Sequence, residues 1–284
     1  MKLSMMTLGC PDWDLQTICR RAREYGYDGV DFRGIQSELD VTRLPAFTSA
    51  VKQTVKLLAD HGLVASGISS SIRVCDGSRR SASLDEARRT LDSAVAVGAK
   101  HVRIFGEGDP DKIGYAESAK IGRDVLNEIL NIPGAEQVSW NFETHDHWIQ
   151  SGQCKLLLDA ITDPAFGVAW DLGHTRRIGG ETAEQSYSAL GKRVRYVHIK
   201  DAVRAEGHPL VMKDGWRYVL PGLGELELDL GIGVLKRNGY DGWVMFEHEK
   251  RWHPELEEPE IAMPAFVKWA RQTIAEAPGP VLKV

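Results

Sequence analysis

Four ionisable residues sit at the ends of short apolar runs: Glu143 in WNFETHDHW, Asp171 in VAWDLGH, His198 in YVHIKD and Glu247 in VMFEHE. Two Glu, one Asp and one His make an oxygen-rich donor set with a single imidazole. Such a set suits one hard or borderline divalent ion, with Mn²⁺, Mg²⁺ or Co²⁺ expected and Zn²⁺ allowed. A divalent cation on a carbonyl oxygen stabilises the enediolate formed when the neighbouring carbon loses its proton. Each residue alone has an ordinary reading. Asp171 could cap a short turn, and His198 could be a satisfied core histidine. Together they change the balance, because ionisable groups inside apolar segments are costly to bury unless paired or metal-bound.

These residues need elements that bring them to one place. Eight short runs rich in apolar residues recur, at 2–8, 28–33, 63–69, 100–105, 137–144, 166–172, 193–200 and 242–249. Between them the spacing predicts amphipathic helices over 14–26, 47–62 and 83–98, and further helices near 115–130, 150–161, 181–191, 228–238 and 255–276. Ser83 and Glu86 have the spacing of a capping box for the third helix. The near-copies REYGYDGVDF and KRNGYDGWVMF each read as a helix stopped by one Gly, with a second Gly admitting the strand. Eight strand–helix units over 284 residues average about 35 residues each. Parallel strands with right-handed crossovers then close into a single (β/α)8 TIM barrel of the α/β class, one domain over 1–284. A doubly wound open sheet is disfavoured because no GxGxxG follows the first strand. In the barrel the last four strands are neighbours, and their C-terminal ends share one mouth with Glu143, Asp171, His198 and Glu247.

Composition excludes several classes. Lys and Arg number 35 against 40 Asp and Glu, a formal charge of −5, which argues against nucleic acid as a partner. No apolar stretch approaches the ~20 residues of a membrane span, and MKLSMMTLGCPDWD lacks the apolar run of a signal peptide. A cytoplasmic protein with no membrane partner is expected. Cys10, Cys19, Cys75 and Cys154 are scattered and form no CxxC, so reduced structural thiols are expected. Oligomeric state is open, a homo-oligomer included.

ETHD at 143–146, WDLGH at 170–174, VHIKD at 197–201 and GYDGWVMFEHEKRWHPELEEPE at 239–260 carry a resemblance over nearly the whole chain. The chain resembles the xylose isomerase-like TIM-barrel superfamily, in its sugar phosphate isomerase/epimerase branch. The resemblance implies one divalent metal held by Glu143, Asp171, His198 and Glu247. It also implies that Glu143 and Glu247 act as the acid/base pair, each using its second carboxylate oxygen. His174, three residues after Asp171, matches the substrate-contacting His of the DxxH pattern, and Arg204 stands where some sugar epimerases place an Arg on substrate.

Strand alternation adds His145, two residues past Glu143, and Lys200, two past His198, as residues facing the mouth. The 201–227 connection is long and reads as a lid or substrate wall. Trp216 within it, with Trp148 and Trp252, could stack on a sugar or simply pack. The expected function is a metal-dependent isomerase or epimerase of a small sugar, ketose or cyclitol, working through an enediolate. A lyase that cleaves a 3-oxo-glycoside by elimination would share the first step. An endonuclease IV-type nuclease is disfavoured, since strands three and four end in ISSSIR and IFGEG without the additional His that a trinuclear site needs. A metal-stabilised barrel without catalysis is the remaining alternative.

Overall fold

The computed structural model describes residues 1–279 of the chain. The last five residues of the expected 1–284 domain lie outside the described residues. Strands β1 (Lys2–Met6), β2 (Gly29–Phe32), β3 (Val64–Arg73), β4 (His101–Phe105), β5 (Ser139–Glu143), β6 (Phe166–Asp171), β7 (Val194–Ile199) and β10 (Trp243–Phe246) form a closed barrel. Its order is β1-β10-β7-β6-β5-β4-β3-β2, with parallel pairing. β8 (Asp201–Arg204) and β9 (Trp216–Val219) form an antiparallel hairpin outside the barrel, in the connection that the sequence marks only as long.

Helices α1 (Leu15–Tyr25), α2 (Val51–Asp60), α3 (Arg80–Val97), α4 (Pro110–Ile113), α5 (Tyr115–Leu130), α6 (Ser151–Ala160), α7 (Leu172–Arg177), α8 (Ala183–Leu190), α9 (Leu228–Arg237) and α10 (Pro259–Glu276) fill the crossovers. Every residue of β2, β6 and β10 is buried, because helices cover one face and the barrel interior the other. The main core lies between strands and helices. A smaller cluster of Met6, Leu8, Ala169, Tyr196, Trp243 and Met245 forms separately from it.

Local chemistry explains the boundaries. Asp14 accepts the Thr17 amide at 2.8 Å and caps α1, which ends at Gly26 with φ of 90°. Gly29, the second Gly of the repeated phrase, serves space rather than φ. A Cβ there would meet the Trp243 ring at 2.8 Å and the Val64 carbonyl at 2.9 Å. Gly29→Ala is therefore expected to lower stability by about 1–3 kcal/mol. A urea midpoint equal to that of the parent chain would contradict this packing.

The third helix departs from expectation. α3 begins at Arg80, before Ser83, and no side chain caps it. Ser83 and Glu86 instead serve the end of β3. The Ser83 hydroxyl bonds both the amide and the carbonyl of Arg73, and Glu86 accepts the Ser71 amide at 2.6 Å. A capping box does form at α8, between Thr182 and Gln185.

The start of β4 carries a pH-sensitive group. His101 accepts from the Asn141 amide at 3.2 Å. Burial, then Arg195, push its imidazole down to about 4. The unfolded chain, with its His near 6.5, binds this proton more readily than the folded one. Stability from His101 is thus full above pH 6.5 and is lost as pH falls toward 4. His101→Gln is expected to flatten the pH dependence of the urea midpoint across that window; an unchanged slope would count against it.

Candidate metal centre

The closed barrel brings Glu143, Asp171, His198 and Glu247 together. They stand at or just beyond the C-terminal ends of β5, β6, β7 and β10, and they offer ligand-type atoms within 4.8 Å of one another. Glu143, Asp171 and His198 are wholly buried, and Glu247 nearly so. Neighbouring parallel strands enforce this. Asp171 pairs with His198 in register, and Glu143 pairs with Ala169, two residues before Asp171.

His198 Nδ1 lies 3.3 Å from Glu143 Oε1 and 3.2 Å from Glu247 Oε2. Burial opposes a charge on His198, but the two carboxylates outweigh it and push the imidazole up to about 10. Burial and the Glu247 carboxylate raise Glu143, yet His198, Arg103 and His145 prevail and hold it below the usual carboxylate range. Burial likewise opposes the charge of Glu247, which Lys200 and His198 keep ionised. The cluster thus contains carboxylates that stay charged only beside positive charge.

Asp171 performs two tasks. Its Oδ1 accepts the His174 amide at 2.8 Å and caps α7, the short helix the sequence left unmarked. Its Oδ2 points toward Lys200 Nζ at 3.1 Å and is left without a hydrogen bond. Both oxygens of Glu143 and Nε2 of His198 are also buried without a hydrogen bond. Unsatisfied buried oxygens are rare in native proteins. Their number at one point, with a three-carboxylate, one-imidazole donor set, fits a divalent cation.

Arg103 and Lys200 flank the cluster. Arg103 Nε lies 3.2 Å from Glu143 Oε2. Lys200 is buried, with Nζ 2.9 Å from Glu247 Oε2, 2.9 Å from Glu249 Oε1 and 3.3 Å from His174 Nε2. His174 Nδ1 faces the Thr144 carbonyl at 3.0 Å and donates to it, which leaves Nε2 to accept from Lys200. His145 Nδ1 meets Asp146 at 2.6 Å, and its ring lies edge-on to His174 at 5.0 Å. His145 and His174 also form a second close group with Glu143. These residues border the same mouth.

Arg204 and Trp216 do not join the cluster. They pair at the outer end of the β8–β9 hairpin, where the exposed Arg204 guanidinium lies 4.8 Å over the indole of the largely buried Trp216. Tyr218, two residues nearer the barrel, lines a cavity with Lys200, Glu247 and Glu249 instead. Trp148 is core, donating to the Glu107 carbonyl at 2.9 Å, while Trp252 is exposed. Glu249, Tyr218 and Arg103 escaped the sequence reading. For Arg103 the signal existed: a cation in the middle of the apolar run KHVRIF.

The xylose isomerase-like TIM barrel profile matches residues 19–272. The chain belongs to this family. L-ribulose-5-phosphate 3-epimerase UlaE of Escherichia coli K12 is 24% identical to it over 204 residues, 71% of this chain and 67% of UlaE. The IolI protein, solved with a bound zinc atom, matches with a TM-score of 0.80 at 20% identity over 98% of this chain and 99% of its own. D-allulose 3-epimerase from Methylomonas sp., solved with D-allulose, matches with a TM-score of 0.69 at 17% identity, covering 96% of this chain and 97% of its own. At such identities the solved structures speak for the barrel itself. Among the described residues of this xylose isomerase-like barrel, no helix is long and apolar enough to cross a membrane.

Proposed function

We propose that the chain is a divalent-metal-dependent isomerase or epimerase of a small sugar, ketose or cyclitol. One observation carries the reading: four buried donors, Glu143, Asp171, His198 and Glu247, converge within 4.8 Å at the mouth of the barrel. Glu143, Asp171, His198 and Glu247 would hold the ion, with Mn²⁺, Mg²⁺ or Co²⁺ favoured and Zn²⁺ compatible. When bound, it would supply Lewis-acid stabilisation of the negative charge that develops beside a carbonyl. Epimerases among the relatives support the isomerase class.

The side chains divide the remaining work. Glu143 Oε1 and Glu247 Oε2 lie 3.3 and 3.2 Å from His198 Nδ1, so two ionised carboxylates reach one centre. One removes the proton beside the substrate carbonyl, and the other returns it from the second face. Such acid–base help contributes typically about 10²–10⁴-fold. Lys200 and Arg103 hold the two glutamates ionised and fixed in place. His145 and His174 face the substrate's hydroxyls, with the His174 tautomer set by Thr144. Burial of the cluster excludes bulk water, which strengthens each of these interactions.

Incubating the metal-loaded chain with ketoses and 3-oxo-glycosides in D₂O tests the reading by NMR. Deuterium at the carbon beside the carbonyl, with an epimer or isomer formed, is the expected result. Release of an aglycone would move the protein to the lyase class. A chain that binds no divalent ion and exchanges no proton would sink both.

A further inference from the structure

Lys200 and a divalent ion call on the same two oxygens. Asp171 commits Oδ1 to the His174 amide, so Oδ2 is the oxygen left for an ion. That Oδ2 lies 3.1 Å from Lys200 Nζ. Glu247 enters the cluster through Oε2, which is 3.2 Å from His198 Nδ1 and 2.9 Å from Lys200 Nζ. One ammonium thus bridges two of the four candidate donors.

The same ammonium has partners outside the donor set. Nζ lies 2.9 Å from Glu249 Oε1 and 3.3 Å from His174 Nε2. Its three N–H groups therefore face four acceptors, on Asp171, Glu247, Glu249 and His174. The stem has little freedom. A Cβ on Gly173 would meet Lys200 Cγ at 2.8 Å, so the start of α7 packs directly against it. Movement is confined to the tip. A buried ammonium close to a divalent ion is repelled by it, and strongly so where the dielectric is low. An ammonium buried without any carboxylate is equally unfavourable. Glu249 resolves the conflict, because the tip can turn from Asp171 and Glu247 without leaving its charge unpaired.

We propose that Lys200 is a place-holder for the divalent ion and that Glu249 is the positioning residue that receives it. The ammonium neutralises Asp171 and Glu247 as the barrel folds, and it turns to Glu249 when an ion takes those oxygens. This rests on the metal-dependent reading of the site. It assigns the two neighbours opposite signs: Lys200 opposes ion binding, and Glu249 favours it by drawing Lys200 aside. A lysine that merely supported the ligands would have the reverse sign, since losing a residue that orients metal ligands typically weakens binding by about 10- to 100-fold.

Calorimetric titration with Mn²⁺ tests this without substrate, on the parent chain, Lys200→Met, Glu249→Gln and the double variant. The dissociation constant is expected to fall about 10-fold in Lys200→Met and to rise about 10-fold in Glu249→Gln. In the double variant the effect of Glu249→Gln should vanish, leaving the constant of Lys200→Met. Lys200→Gln keeps N–H donors for the carboxylates without the charge. It covers a folding failure of Lys200→Met and should also bind Mn²⁺ more tightly than the parent. Lysine variants that bind no tighter than the parent overturn the place-holder and leave the metal centre standing. Parent-like binding in Glu249→Gln, or a deficit that persists undiminished in the double variant, overturns the role of Glu249 in the same way. No uptake of Mn²⁺ by any of these chains would fail the metal centre itself and this inference with it.

Discussion

Glu143→Gln and Glu247→Gln are each expected to reduce proton exchange on substrate by about 10²–10⁴-fold and to lower bound divalent ion per chain. The amide keeps size and one oxygen but removes the negative charge that both metal binding and proton abstraction require. At Glu143 the effect should be larger. This side chain is wholly buried, and its charge is balanced from two sides by Arg103 and His198. Neutralising it leaves those cations facing one another across a buried amide. Glu247 has Lys200 at 2.9 Å, and Lys200 retains Asp171 and Glu249 as partners when Glu247 is lost. Plasma emission measurement of metal content and NMR exchange rates together check this. Normal metal content with full exchange in either variant would remove that residue from the mechanism.

Lys200→Met carries the largest expected effect on stability. Lys200 Nζ is the cation shared by Asp171, Glu247 and Glu249. Burial disfavours its charge, but those carboxylates more than offset this and hold it well above the usual lysine range. Methionine fills similar space and leaves three carboxylates without their common partner. Removing one member of a buried ionic cluster costs about 3–5 kcal/mol. A divalent cation in the adjacent site restores positive charge, so the loss should shrink when metal is added. Urea unfolding of both chains, with and without Mn²⁺, forms a cycle that isolates this coupling. An identical deficit in the two conditions would mean that Lys200 and the ion act independently.

Much of this arrangement was legible in the residues. Short runs rich in apolar residues and glycine-stopped helices define the eight units, because burial on both faces leaves strongly apolar strands between amphipathic helices. The positions of Glu143, Asp171, His198 and Glu247 follow from strand ends alone, once the barrel is closed. What escaped was set by contacts distant in sequence. Ser83 and Glu86 have the spacing of a cap, yet the backbone ends of β3 compete for them and win. Asp171 is both cap and cluster member, two readings that sequence spacing presents as alternatives. The β8–β9 hairpin hides in a connection rich in Gly and Pro, where four-residue strands give too short an alternation to read. Arg204 and Trp216 lie on that hairpin as partners of one another, a pairing that depends on register rather than on distance from His198.

Asp201 gives that hairpin a further consequence. Its carboxylate accepts the amides of Gly222 and Gly224, each at 2.9 Å, and a Cβ on Gly224 would collide with it. One buried side chain therefore clasps both feet of the excursion that begins at β8 and returns after β9. The chain's path out from β7 and its path back toward α9 are thus riveted to one another by a single carboxylate.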